Sequence, residues 1–80
     1  MKNLLYEFND LKITEENGHF FAEYDAGAHQ VVMRKDEISE EEARFAGTSS
    51  ENAVKMLFDL QKRLIAAGID PYVSNLRERL

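Results

Sequence analysis

Apolar residues recur at every second position in the first half of the chain and at intervals of three and four in the second half. A β-rich half therefore precedes an α-rich one. Asn17-Gly18 is the strongest turn signal, because both residues tolerate the positive φ of a two-residue hairpin loop. Closing that loop pairs Glu16 with His19, Thr14 with Phe21, Ile13 with Ala22, Lys12 with Glu23 and Leu11 with Tyr24. Leu11, Ile13, Phe20, Ala22 and Tyr24 then share one face, and Lys12, Thr14, Phe21 and Glu23 the other. A second turn at Asp25-Ala26-Gly27 leads into a third strand at Val31-Val32-Met33. A two-residue and a three-residue loop place Val31 on opposite faces. The shorter one sets Val31 beside Ala22 and Met33 beside Phe20, which extends the inner face, and His29 opposite Tyr24. Upstream, Leu4, Tyr6 and Phe8 alternate with Leu5, Glu7 and Asn9, so the first strand is expected to begin near Leu4 and bend at Asn9-Asp10.

Arg34-Lys35-Asp36-Glu37 ends the third strand in charges. Ser39 precedes Glu42 by three residues, the spacing of a capping box, and predicts a short helix over 39–46 closed by Gly47. The rival reading makes Ala43–Ala46 a short fourth strand. Thr48 and Glu51 repeat the spacing and open a long helix that runs to Ala67, with Gly68 as its stop. Its apolar positions spread over about 200° of the helical wheel, wider than the stripe a sheet ordinarily covers. The surplus at Val54, Phe58 and Ile65 must meet the short helix, the C-terminal segment or a second chain, and is a candidate dimer face. Asp70-Pro71 restarts the chain as a short C-terminal helix with Tyr72, Leu76 and Leu80 on one face. The predicted fold is α+β in a single domain, 1–80. A three-stranded antiparallel β-meander is packed by one long α-helix, with a short preceding helix and a short C-terminal helix.

Eighty residues with ten Lys+Arg, fifteen Asp+Glu and no Cys narrow the chemistry. The length suits one thin core. Without Cys there is no disulfide or thiolate metal site, in keeping with a cytoplasmic location. No apolar run approaches the roughly 18 residues of a membrane span. His19 and His29 lack metal-ligand spacing, so no metal or cofactor is expected. Ser49-Ser50 stand where hydroxyls cap a helix, and the glycines are too dispersed to cradle phosphate. The chain is expected not to be an enzyme. Its basic pairs, Arg34-Lys35, Lys62-Arg63 and Arg77/Arg79, are scattered through an acidic sequence, which disfavours direct nucleic-acid binding.

Acidic residues are the more clustered feature. Glu15 and Glu16 lie at the hairpin tip, and Asp36, Glu37, Glu40, Glu41 and Glu42 follow the third strand. A solvated face that keeps a small protein soluble accounts for such a cluster. The sharper reading is a patch complementary to a basic partner, with Phe21 and Phe45 as apolar anchors. On that reading Glu40→Lys/Glu41→Lys/Glu42→Lys abolishes partner binding and leaves the fold intact.

The stretch Gly47-Thr48-Ser49-Ser50-Glu51-Asn52-Ala53, preceded by Asn17-Gly18-His19-Phe20-Phe21-Ala22-Glu23, resembles the small domain of HicB-type antitoxins. The resemblance implies a β-β-β-α toxin-binding domain that dimerises and covers a basic ribonuclease. Asp25-Ala26-Gly27-Ala28 replaces the family's usual turn, and the acidic stretch Asp36–Phe45 has no counterpart there. In size and acidity the chain is also similar to phage-encoded inhibitors of host defence, including anti-CRISPR and anti-restriction proteins. Two functions are thus expected in competition. One is a non-enzymatic, stoichiometric inhibitor that presents an acidic surface to a basic nucleic-acid-handling protein. The other is a homodimeric structural or assembly module.

Overall fold

Four strands and two helices follow one another along the chain: β1 (Lys2–Phe8), β2 (Leu11–Glu16), β3 (His19–Asp25), β4 (Met33–Ile38), α1 (Glu40–Ala46) and α2 (Ser50–Ala66). The structure, a computed structural model, describes residues 2–27 and 31–76. His29, Arg77, Arg79 and Leu80, to which roles were assigned above, lie outside the described residues. The strands form one antiparallel sheet in the order β1-β2-β3-β4, so the fold is α+β.

The β2–β3 hairpin has the expected register, with Glu16 opposite His19, Thr14 opposite Phe21, Ile13 opposite Ala22 and Lys12 opposite Glu23. Asn17 and Gly18 take φ values of 53° and 85° in its turn. The expected bend at Asn9-Asp10 is instead a second tight turn, with Asn9 at φ 50°. It frees residues 2–8 to pair with β2 as a strand of their own, Phe8 opposite Leu11 and Tyr6 opposite Ile13, with an irregularity between Leu4 and Tyr6. The sheet therefore has four strands and not three.

The last strand departs furthest from expectation. Val31 and Val32 precede it, and it runs through the charges that were read as its end. Asp36 stands opposite Ala22 and Ile38 opposite Phe20, in the places expected for Val31 and Met33. Asp25 accounts for the longer connection: its Oδ1 accepts hydrogen bonds from the Gly27 and Val32 N–H groups, both at 2.9 Å. Ala26 N–H also donates to the Val32 carbonyl at 2.8 Å. These bonds hold the chain in a loop where a tight hairpin would have started pairing at Val31.

Residues 43–46 are helical. Ser39 Oγ accepts from Glu42 N–H at 3.1 Å and Glu42 Oε1 from Ser39 N–H at 2.9 Å, a complete capping box. The cap of α2 sits one residue later than expected: Ser49, not Thr48, accepts from Asn52 N–H. Thr48 instead donates its hydroxyl to the Phe45 carbonyl at 2.6 Å. At the far end Gly68, at φ 80°, donates to Ile65 O and Ile69 N–H to Leu64 O, a Schellman closure.

After α2 the expected C-terminal helix is absent among residues 70–76, which run as turns beside β4. Several of their polar groups are tied to β4. Arg34 takes the carbonyls of Asp70 and Val73, and the Asn75 side-chain amide pairs with both Lys35 N–H and Lys35 O. The Asp70 carbonyl accepts Val73 N–H at 3.4 Å as well as Arg34, so a single turn forms there and no helix continues from it.

Both helices lie on one face of the sheet. Leu11, Ile13, Ala22, Tyr24 and Ile38 meet Ala43 and Ala46 of α1 and Ala53, Met56, Leu60 and Leu64 of α2 in one core. Among the described residues no helix is long and apolar enough to cross a membrane.

Candidate functional site

The acidic residues singled out from the sequence do not gather into one free surface, because most are answered inside the chain. Asp36 is buried, at 8% exposure, on the core face of β4. Its carboxylate receives Arg34 Nε at 3.0 Å and Nη2 at 2.8 Å, the Tyr24 hydroxyl at 2.7 Å and Asn75 Nδ2 at 3.2 Å. This clasp joins β3, β4 and the C-terminal segment. The Arg34 guanidinium, itself 3% exposed, is held above its ordinary pKa chiefly by Asp36. Burial, followed by the hydrogen bond to Asp36, pushes the Tyr24 phenol up to about 12. Asp36 cannot meet a partner.

Glu42 serves the α1 cap and also pairs with Arg63 of α2 at 3.0 Å. Replacing it within Glu40→Lys/Glu41→Lys/Glu42→Lys would therefore strike the fold as well as the surface, contrary to expectation. Glu40 pairs with Arg44 one turn away, Glu16 with Lys35, and Glu37 with His19 Nδ1 at 2.8 Å. Glu15 accepts from Asn3 and from Gly18 N–H, both at 3.0 Å, and these bonds hold its carboxyl below the ordinary range. Glu41 alone of the seven makes no side-chain hydrogen bond or ion pair among the described residues.

The outer face of the sheet is a lattice of such pairs. Burial works against ionisation of Glu23, but Lys2 at 2.8 Å and the Thr14 hydroxyl at 3.1 Å outweigh it and lower its pKa. Lys35 reaches Glu16 while its ammonium lies 4.6 Å from the Phe21 ring centroid. Phe21 is thus half-buried beneath a lysine and offers no bare anchor. Phe45, at 43% exposure, remains open on α1.

Uncovered apolar surface lies along α2. Val54, Phe58 and Ile65 are 49%, 56% and 57% exposed, so among the described residues neither α1 nor residues 70–76 cover the surplus arc. At the N-terminal end of this stripe Val54 also lines a cavity of ≈ 370 Å³ between α2 and the turn of the β1–β2 hairpin. Phe8, Leu11, Tyr24, Ala53 and Leu57 supply its apolar walls, and Asp10, Asp25 and Glu51 stand among its lining residues. Sequence reading missed this site, because its three carboxylates come from a turn, a strand end and a helix start that only the fold brings together. Asp25 is held below its ordinary pKa by the Val32 and Gly27 N–H groups.

Among the described residues no group of histidine and acidic side chains is arranged to hold a metal ion. The paired basic residues, Arg34, Lys35 and Arg63, are likewise spent on internal carboxylates. No family model, curated protein or solved structure matches the chain.

Proposed function

We propose that the chain is a non-enzymatic protein-binding module that acts stoichiometrically on a basic, nucleic-acid-handling partner, in the manner of antitoxins and of anti-CRISPR or anti-restriction inhibitors. The observation that carries this reading is the uncovered apolar surface running from the cavity along Val54, Phe58 and Ile65 on a chain of net charge -5. Large apolar side chains left exposed on one helix face beside an apolar cavity are a candidate interaction surface, and the net charge sets the sign of the protein attracted to it. The resemblance of residues 17–23 and 47–53 to HicB-type antitoxins supports the same class of partner. Electrostatic recognition rests on carboxylates left unanswered within the chain, and not on Asp36 or Glu42.

The immobilised protein should capture a basic protein from extracts of its native cell at low salt and release it at high salt. Added at equal concentration, it should block that protein's action on nucleic acid. Phe58→Asp should lose the capture. Capture indifferent to both salt and Phe58→Asp, or a captured protein whose activity is untouched, would remove the reading.

The same three exposed side chains favour a second reading, a homodimeric assembly module, since a single apolar helix stripe can pack on its own copy about a two-fold axis. Sedimentation at micromolar concentration separates the two: a stable dimer abolished by Phe58→Asp supports the second, and a monomer at all concentrations excludes it.

A further inference from the structure

The cavity between α2 and the β1–β2 turn combines an apolar floor with a rim of one charge. Its volume, ≈ 370 Å³, stands near the lower bound of small-ligand sites, enough for one long side chain and its flanking backbone. No lysine or arginine is among its described lining residues. Asp10 makes no side-chain hydrogen bond or ion pair among the described residues. Asp25 uses Oδ1 for its two backbone donors, and its Oδ2 has no hydrogen-bond partner among the described residues. Glu51 has Lys55 at 3.7 Å, a loose pair between two exposed side chains. Of the three carboxylates around the cavity, Asp10 is open, Asp25 is engaged by backbone donors alone and Glu51 by one exposed lysine, so none is held by a buried cation.

We propose that this cavity is a socket for an arginine side chain of a basic protein partner, its aliphatic stem lying on Phe8, Leu11 and Leu57 and its guanidinium among Asp10, Asp25 and Glu51. The inference rests on the partner class proposed above and names the residue that enters the site. An aliphatic stem ending in a planar, weakly hydrated cation matches an apolar floor under a carboxylate rim. Arginine is also among the side chains that most often anchor an interface. A neutral apolar group would leave the rim carboxylates facing nothing, and an anion would meet three of its own sign. The positive end of α2 also faces this region, but Glu51 in the first turn already answers it and Ser49 takes the Asn52 N–H.

The test titrates the isotopically labelled full chain with an N-acetylated, C-amidated alanine–arginine–alanine tripeptide, followed by amide NMR shifts. Glutamine and glutamate versions serve as controls. The arginine peptide should move amides of residues 8–11, 24–25 and 50–57, with millimolar affinity that weakens as salt is added. Asp10→Asn/Glu51→Gln, both at exposed positions, should weaken it about fivefold while the rest of the spectrum stays in place. No binding, equal binding of the glutamine peptide, shifts centred elsewhere, or undiminished affinity in the double variant would each overturn the socket. The tripeptide tests the cavity without any partner. Failure here with capture intact refutes the socket alone, and success here with no capture refutes only the inhibitor reading.

Discussion

Asp36→Ala should destabilise the protein by about 3–5 kcal/mol, the cost of breaking a buried ion pair from one side. Arg34 is 3% exposed and directs Nε and Nη2 at the Asp36 carboxylate, so the substitution strands two charged donors where water does not reach. The Tyr24 hydroxyl loses its acceptor at the same time. Each charge-assisted hydrogen bond contributes roughly 1.5–3 kcal/mol net, which agrees with the figure for the pair as a whole. A domain of this size has about 4–12 kcal/mol in total, so the variant should unfold at much lower urea, or be partly unfolded without it. Circular dichroism over a urea series reads this directly. Arg34→Met/Asp36→Leu removes both charges at similar volume and should cost less than Asp36→Ala alone, because no charge is left buried and unpaired. That double variant should still release the C-terminal segment, since Arg34 no longer holds the Asp70 and Val73 carbonyls, and the Lys35 amide should then exchange faster with solvent. A urea midpoint for Asp36→Ala within about 1 kcal/mol of the parent, or a double variant weaker than the single, would refute the view of the clasp as a buried, mutually dependent pair.

Two further outcomes follow from the same packing. Because the Tyr24 phenol titrates at about 12 in the folded protein against 10.0 for its ordinary value, its contribution is complete below pH 10 and is lost as pH rises toward 12. Stability should fall by up to about 1.4 kcal/mol per pH unit across that window, and Tyr24→Phe should flatten the decline in urea titrations at each pH. A Cβ on Gly47 would stand 2.2 Å from Tyr6 Cζ, so Gly47→Ala should cost about 1–3 kcal/mol, and the loss should shrink in a Tyr6→Ala background when thermal unfolding is compared across the four proteins.

Where local chemistry and core placement agreed, the sequence was readable. The β2–β3 hairpin combines a turn dipeptide with clean alternation, and Ser39/Glu42 is a cap that needs no tertiary partner. Gly47 was legible as a helix end for the wrong reason: its φ of -77° is open to any residue, and the approach of the Tyr6 ring is what excludes a side chain there. β4 was hidden because its inward positions are Arg34, Asp36 and Ile38. A period-two pattern counted on apolar residues passes over two charges that are buried only because each answers the other. The internal partners of the clustered acids were hidden for the same reason. Clustering along the chain says nothing of which cation each carboxylate will find in the fold, and Lys35, Arg63 and Arg34 find Glu16, Glu42 and Asp36.

The distribution of answered and unanswered groups also bears on where the proposed partner would dock. A four-stranded sheet has two edges, and an open edge invites another strand. The β4 edge is closed at Lys35 by the Asn75 amide, which supplies both the donor and the acceptor that a neighbouring strand would bring. β1 forms the other edge and carries exposed Leu4 and Leu5, but its register breaks between Leu4 and Tyr6. An irregularity of that kind twists an edge and interrupts the regular ladder that strand addition requires. Lys2 at its start is also already held by Glu23. Strand addition is therefore disfavoured at both edges for separate physical reasons. The α2 face needs no backbone ladder and has exposed apolar side chains, with the carboxylates of the cavity rim at one end. Docking by side chains into and along α2 costs the fold nothing it already uses, whereas docking at β4 must first displace Asn75.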